Sequence, residues 1–328
     1  MSVIGLTSIV LLLLGFIFAI ILYIASKVFK VDTDPRIDAI NEILPGANCG
    51  ACGYAGCLAF AEKVVKGEAP IDGCVAGGEK VAELIAKIMG KTVSGKKIKY
   101  VARVRCNGGI NNSKELFKYQ GVMDCRSAAL IADGFKQCDY GCLGLGSCVN
   151  ACPFFAITLN ENKIPEVNEN KCTGCGKCVE ACPKNIIELQ PYNKHVYVKC
   201  VSHYKGKVVA SVCKVGCIAC KRCEKVCPVG AIKVIDNVAV IDYEKCIDCG
   251  KCADVCPRNI IIDLKKDFRY KREISDKCVG CGLCKKVCPV DAITGERKQK
   301  HIIDPEKCIG CGLCEEKCPV NAIGKLKK

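Results

Sequence analysis

One cysteine spacing, repeated along the second half of the chain, constrains this sequence more than any other feature. The pattern C-x2-C-x2-C-x3-C-P occurs at Cys172-Cys175-Cys178-Cys182-Pro183, Cys217-Cys220-Cys223-Cys227-Pro228, Cys246-Cys249-Cys252-Cys256-Pro257, Cys278-Cys281-Cys284-Cys288-Pro289 and Cys308-Cys311-Cys314-Cys318-Pro319. A stretched copy precedes them, Cys138-x3-Cys142-x5-Cys148-x3-Cys152-Pro153. Short apolar tails follow, in the order CPFFAI, CPKNII, CPVGAI, CPRNII, CPVDAI and CPVNAI. The step of about thirty residues is too short for a helical solenoid. The 328 residues include 32 cysteines, no Trp and only 6% aromatics. Large apolar anchors are therefore scarce, and something other than side-chain packing must fill many interiors.

Thirty-two thiols suit either disulfides or metal sites, and compartment decides between them. Val3 to Ile24, VIGLTSIVLLLLGFIFAIILYI, carries no charge and has the length of one membrane helix. Nothing basic precedes it, as a signal peptide would require, whereas Lys27 and Lys30 follow it. The positive-inside rule then predicts a single-pass anchor in the cell membrane, with the body on the cytoplasmic side. That compartment is reducing, so metal chemistry is favoured over disulfides.

Three closely spaced thiolates grip three irons of a [4Fe–4S] cubane, and the fourth cysteine, before proline, ligates the other cluster of a two-cluster ferredoxin. Zinc sites use two C-x2-C pairs and seldom a third cysteine at the same step or a Cys-Pro. Cross-pairing predicts three two-cluster modules. The first joins Cys138, Cys142 and Cys148 with Cys182, and Cys172, Cys175 and Cys178 with Cys152. The second joins Cys217, Cys220 and Cys223 with Cys256, and Cys246, Cys249 and Cys252 with Cys227. The third joins Cys278, Cys281 and Cys284 with Cys318, and Cys308, Cys311 and Cys314 with Cys288.

Eight cysteines remain. Cys49-x2-Cys52-x4-Cys57-x16-Cys74 reads as a further [4Fe–4S] site, with Gly50, Gly53 and Gly56 allowing tight turns; no His follows Cys52, so the c-type haem signature is absent. Leu58 to Lys66 and Glu79 to Met89 have helical apolar spacing. Cys106, Cys125, Cys200 and Cys213 have no tight spacing; ordinary buried thiols are one reading, and an eighth cluster using all four is the other and the favoured one.

The predicted fold class is α+β: one N-terminal transmembrane helix, a small membrane-proximal [4Fe–4S] domain and three tandem ferredoxin-like modules. Boundaries are expected at 1–27, 34–92, 100–214, 215–264 and 269–328, with Gly95 to Lys99 as a linker. Strands such as Val238 to Asp242 should pair across a module, and a short helix should follow each third cysteine.

The formal charge of +15 would ordinarily suggest nucleic acid. Eight clusters, each roughly −2 with its thiolates, offset it almost completely, and no stacking aromatics interleave the basic residues. Nucleic acid is therefore excluded as a partner. Lys265, Lys266, Arg269, Lys271 and Arg272, with Lys325, Lys327 and Lys328, form either a docking face for an acidic electron donor or a solvated linker. No Walker A loop is present, and Gly144-Leu145-Gly146 belongs to a cysteine loop. His195, His203 and His301 are isolated and read as structural or solvated, and no catalytic residue is assigned.

An N-terminal apolar helix, then NCGACGYAGC with a distant fourth cysteine, RCNGG at 105–109, CDYGCLGLGSCVNACPFFAI and KCTGCGKCVEACP together resemble the B subunits of Rnf complexes, over residues 1–256. The trailing modules fit members with additional ferredoxin repeats. The resemblance implies an electron-transfer subunit of a ferredoxin:NAD+ oxidoreductase that moves Na+ or H+. Its partners would be reduced ferredoxin, integral-membrane subunits, flavin- or NAD-binding subunits and the membrane. The motif cysteines would ligate about eight [4Fe–4S] clusters. With a single uncharged helix, the chain would act as a wire and leave ion movement to other subunits. A free-standing, membrane-tethered polyferredoxin serving another reductase or hydrogenase is the alternative.

Overall fold

The computed structural model describes residues 3–28, 34–93 and 98–326. Lys30, Gly95 to Lys97, Lys327 and Lys328 lie outside the described residues. The chain begins with helix α1, Val3–Val28. No helix among the described residues is long and apolar enough to cross a membrane. The fold thus supplies the helix, and a membrane role rests on the uncharged sequence.

A three-helix unit follows. Helix α2, Pro35–Ile43, starts at Asp34, whose carboxylate accepts the Arg36 N–H at 2.9 Å, with proline at the first helical position. Helices α3, Cys57–Val65, and α4, Gly78–Met89, match the expected segments to within a residue or so. Together they bury Ile40, Phe60, Val64 and Ile85, and Tyr54 packs on Phe60 with ring centroids 5.8 Å apart.

One motif then recurs three times. In the first module, β1 (Tyr100–Val104) pairs antiparallel with β4 (Ile187–Pro191) around the hairpin of β2 (Ile157–Leu159) and β3 (Pro165–Val167). The second places β5 (Val196–Val198) on β8 (Ile261–Asp263) around β6 (Ile232–Ile235) and β7 (Val238–Ile241). The third places β9 (Arg272–Ile274) on β12 (Ile323–Lys325) around β10 (Ile293–Thr294) and β11 (Ile302–Ile303). The apolar tails generate this regularity. The last isoleucine of each tail opens a strand: Ile157, Ile187, Ile232, Ile261, Ile293 and Ile323. Two residues earlier the backbone turns through the left-handed region, at Phe155, Asn185, Gly230, Asn259, Asp291 and Asn321. Asn, Asp and Gly tolerate that geometry; Phe155, at φ 49°, is the exception and is exposed.

Two expectations are corrected. Each short helix contains its third cysteine instead of following it. After α5 (Gly109–Asn112) and α6 (Cys125–Ala129), helices α7 (Ser147–Asn150) and α8 (Lys177–Glu180) enclose Cys148 and Cys178. Past α9 (Gly206–Val212), the same holds for α10 (Arg222–Val226), α11 (Lys251–Asp254), α12 (Leu283–Lys286) and α13 (Leu313–Glu316). The left-handed residue just before most of these helices reverses the chain, so the helix starts one residue ahead of the cysteine. The second correction concerns the second module. Pairing of β5 with β8 extends that module back to Val196, ahead of the expected start at residue 215, and makes residues 199–216 an insertion within it.

Phe60 is 1% exposed at the centre of the three-helix unit. Phe60→Ala should destabilise that unit by about 3–5 kcal/mol, comparable to the whole stability of a domain this small. The expected outcome is selective proteolysis of residues 34–93 with the remaining modules protected, read by limited proteolysis and mass spectrometry.

Candidate metal centres

Five cavities of about 330–380 Å³, each partly open to solvent, are lined by four cysteines apiece. Cys49, Cys52, Cys57 and Cys74 surround one, between the Asn48 loop and α3. Cys217, Cys220, Cys223 and Cys256 surround another, and Cys227, Cys246, Cys249 and Cys252 a third. Cys288, Cys308, Cys311 and Cys314 line the fourth. In these four, the cysteines brought together are the groups expected from the spacing, and in the last three the fourth cysteine crosses from the other box. The remaining cysteines of the third module, Cys278, Cys281, Cys284 and Cys318, belong to the box and crossing partner left over; Cys278, Cys284 and Cys318 lie in or against its apolar core. Cys152, Cys172, Cys178 and Cys182 do the same in the first module, and Cys175 is close enough to Cys178 to act on it.

The fifth cavity departs from expectation. Cys106, Cys200 and Cys213 line it, as favoured from the count, but the fourth cysteine is Cys138 and not Cys125. Cys125 lies instead beside Cys142 and Cys148 and packs with Leu145 in a separate apolar cluster. The reason is local. The Cys125 N–H donates to Ser147 Oγ at 2.7 Å, and Ser147 Oγ donates to Asp124 at 2.7 Å, which ties the loop to the start of α7.

All 32 cysteines are free thiols in the structure. Among the described residues, no group of three or more His, Cys, Asp or Glu is gathered tightly enough for a single metal ion. A mononuclear zinc site would draw its sulfurs to ~2.3 Å from one centre, whereas a cubane spreads its four thiolates over four iron corners. Backbone N–H groups point at the sulfurs. Ala156, Ala231, Ala292 and Ala322 donate to the cysteine four residues earlier at 3.2–3.4 Å, and Gly77 donates to Cys74 at 3.3 Å. Such donors stabilise negative charge on the sulfur and suit a thiolate–cluster unit.

Burial pushes these thiols up. Cys138 rises to about 11, and Cys148, Cys178 and Cys200 to about 12, with neighbouring thiols adding to the shift. Cys314 rises to about 11 by burial although Arg272 beside it pulls the other way. Four such sulfurs share a pocket only as thiols, or as thiolates neutralised by iron, so the residues present fit [4Fe–4S] clusters.

The histidines hold structure. Asp248 accepts from the His195 and Val196 N–H groups at 2.8 and 2.9 Å and meets His195 Nδ1 at 2.9 Å, which fastens β5 to a cysteine loop. His203 meets the Asp236 carbonyl, and His301 is buried in the third module. The basic segment splits. Arg269 pairs with Asp263, and Arg272, 8% exposed, pairs with Glu315 at 2.7 Å and donates to the Gly310 carbonyl at 2.8 Å. Those two are internal braces; Lys265, Lys266, Lys271 and Lys325 remain exposed.

Stacked ferredoxin-like modules whose cysteines converge on cubane-sized cavities define a polyferredoxin, a protein that carries electrons between iron–sulfur sites. Family models agree: a putative Fe–S cluster domain matches residues 44–76, and 4Fe–4S dicluster domains match 137–186, 171–231, 216–260 and 277–322, with another at 239–295. The chain is 47% identical over 248 residues to the B subunit of the ion-translocating oxidoreductase complex of Methanosarcina acetivorans, covering 76% of this chain and 94% of the relative. It is 48% identical to the B subunit of the Na+-translocating ferredoxin:NAD+ oxidoreductase complex of Acetobacterium woodii, over 75% of this chain and 74% of that one. The proton-translocating counterpart of Clostridium ljungdahlii is 41% identical over 74% and 85%. This chain belongs to the family of B subunits of ion-translocating ferredoxin:NAD+ oxidoreductase (Rnf) complexes and is an electron-transfer subunit with several [4Fe–4S] clusters.

Arg272 places a buried positive charge on the cavity of Cys288, Cys308, Cys311 and Cys314. Arg272→Gln removes charge that favours the reduced state, so the potential of that cluster should fall by on the order of tens of millivolts. Redox-poised EPR at unchanged iron content checks the shift.

Proposed function

We propose that this chain is the electron-input arm of an ion-translocating ferredoxin:NAD+ oxidoreductase complex. In this reading, reduced ferredoxin donates to the cytoplasmic modules, and electrons leave toward integral-membrane and flavin- or NAD-binding subunits. The observation that carries it is the series of five four-cysteine cavities spread over the three-helix unit and the ferredoxin-like modules. Cys49 and Cys175 are close enough to influence each other, as are Cys249 and Cys311. These proximities set a cysteine of the three-helix unit near one of the first module, and a cysteine of the second module near one of the third.

The ligand sets proposed are Cys49, Cys52, Cys57 and Cys74; Cys152, Cys172, Cys175 and Cys178; Cys217, Cys220, Cys223 and Cys256; Cys227, Cys246, Cys249 and Cys252; Cys278, Cys281, Cys284 and Cys318; and Cys288, Cys308, Cys311 and Cys314. Bound [4Fe–4S] clusters supply one-electron redox chemistry without protons or bond changes. The protein's part is to hold the sulfurs, aim backbone N–H groups at them and exclude water with the apolar tails. Cys220 and Cys281 are the exposed cysteines, and Cys281 lies in the module farthest along the chain from α1, which favours the third module as the input end. Exposed Lys265, Lys266, Lys271 and Lys325 flank that module and suit an acidic donor.

At the other end, Val3 to Ile24 is proposed as a single membrane helix, with Lys27 on the cytoplasmic side. It would hold the Cys49–Cys74 site near the bilayer, where electrons pass to membrane partners.

Anaerobic affinity purification from native membranes should recover polytopic partners and NAD+ reduction by reduced ferredoxin. Removing residues 1–27 should release the chain from membranes with its iron content unchanged. Recovery of a lone, cluster-filled chain from gently solubilised membranes, reducible by ferredoxin but inert toward NAD+, would instead establish a tethered polyferredoxin.

A further inference from the structure

We propose that Cys106, Cys138, Cys200 and Cys213 hold one [4Fe–4S] cluster that bridges the first and second modules, and that Cys125 takes the place of Cys138 in the first module's own site with Cys142, Cys148 and Cys182. This deepens the electron-relay reading and rests on it for the direction of flow, though not for the ligand assignment.

The stretched box is a regular box in disguise. Aligned on its third and fourth cysteines, C-L-G-L-G-S-C-V-N-A-C-P at 142–153 matches C-T-G-C-G-K-C-V-E-A-C-P at 172–183 position for position. Cys142, Cys148 and Cys152 take the first, third and fourth places, and Leu145 occupies the second. The backbone agrees: Gly144 and Gly146 flank Leu145 at φ 74° and 83°, as Gly174 and Gly176 flank Cys175 at 74° and 81°. A leucine cannot ligate iron, so this loop lacks one sulfur. Cys125 lies where that sulfur is needed: it packs in the same cluster as Leu145, is tethered through Ser147, and is close to both Cys142 and Cys148.

Cys138 falls outside the frame and lines the fifth cavity, of about 380 Å³. Two insertions build its walls. Residues 105–116 and 199–216 are knitted by Lys114 N–H to the Val212 carbonyl at 3.0 Å and Lys214 N–H to the Asn112 carbonyl at 2.8 Å, and Arg258 of the second module donates to the Cys213 carbonyl at 2.6 Å. On the same cavity Ser113 is 8% exposed, and its buried hydroxyl has no hydrogen-bond partner among the described residues. A buried hydroxyl without an acceptor is costly, and a cluster sulfur supplies one.

The site joins its neighbours directly. Cys142 N–H donates to Cys106 Sγ at 3.4 Å, and Cys217 N–H donates to Cys200 Sγ at 3.3 Å. A ligand of the first module and a ligand of the second thus each hydrogen-bond a ligand of the bridge. One electron arriving from the second module at this site leaves to the first, with no proton or bond exchanged. Without it, the relay lacks this link between its halves.

Rescue is the decisive test, applied to the full-length chain purified anaerobically. Cys125→Ala should lose one cluster's iron or convert that site to a three-iron form, and adding Leu145→Cys should restore it by completing the regular box. Leu145→Cys should not restore Cys138→Ala. Rescue of Cys138→Ala but not Cys125→Ala would overturn the assignment. As a second measure, Cys106→Ala with Cys138→Ala should damage a single site, and Cys106→Ala with Cys125→Ala two sites, by iron content and EPR; the reverse pattern overturns it. In the Cys106→Ala/Cys138→Ala chain, reduced ferredoxin should reduce the second and third modules while the first module and the Cys49–Cys74 site stay oxidised on the turnover timescale. Dithionite should reduce them all. Reduction of every remaining site by ferredoxin at the wild-type rate would overturn the bridge. A wild-type chain that ferredoxin does not reduce would refute the donor and leave the iron and rescue results standing.

Discussion

Every module depends on one geometric demand: four sulfurs from two distant stretches of chain must meet around one point. A box of three cysteines supplies three of them locally, because left-handed residues curl the loop and a one-turn helix turns the third cysteine inward. The fourth must come from the other box. Pairing of the outer strands, β1 with β4, β5 with β8 and β9 with β12, brings the two boxes of a module together, and the proline after each fourth cysteine starts the turn into the next strand. Strand pairing and sulfur placement are therefore one constraint. A register slip in β5–β8 would move Cys256 relative to Cys217, Cys220 and Cys223 as surely as it would expose Ile261.

That demand also explains the thin cores. The third module buries only Ile274, Cys284, Ile293, Ile303, Cys314, Ala322 and Ile323 as its connected core, with four further cysteines packed against it. Cysteine is thus a large part of the interior. So small an apolar cluster offsets little of the entropy of ordering some fifty residues. Metal–thiolate bonds close the long loops and make cluster binding and folding a single process. In the protein without iron, the same pockets gather thiols that burial keeps protonated.

Much of this was legible in the sequence, because the repeat is chemically rigid. Five regular boxes, their crossed partners, the two helices around Cys57 and the α+β class follow from spacing alone. Three features did not, each for a physical reason. The frame of the stretched box is hidden because the eye counts cysteines, whereas the backbone counts left-handed positions: Gly144 and Gly146 mark the loop, and Leu145 stands where a cysteine is expected. The start of the second module is hidden because Cys200 and Cys213 lie inside it, between β5 and Cys217, so ligand-counting assigns them to the preceding segment. Arg269 and Arg272 read as exposed because basic residues in a linker usually are; only the fold reveals that Asp263 and Glu315 claim them.

Those internal cations change the meaning of the chain's basic excess. Adjacent iron–sulfur sites are each negative, and an electron crossing between them adds charge of the same sign. Each of the three junctions between units has a cation. At the first, Lys177, held mainly by Glu180, also acts on Cys49 and Cys175. At the bridge, Arg105 lines the cavity and Arg258 holds the Cys213 carbonyl. At the third, burial lifts the Cys249 and Cys311 thiols, and Arg269 and Arg272 respectively oppose it. Lysines whose side chains reach solvent, Lys177 among them, are screened within about 8–10 Å at physiological salt, whereas buried or half-buried guanidiniums are screened much less. The guanidiniums fixed at the second and third junctions therefore flatten the path where like charge would otherwise raise it, and the acidic partners of Arg105, Arg269 and Arg272 keep those charges in place.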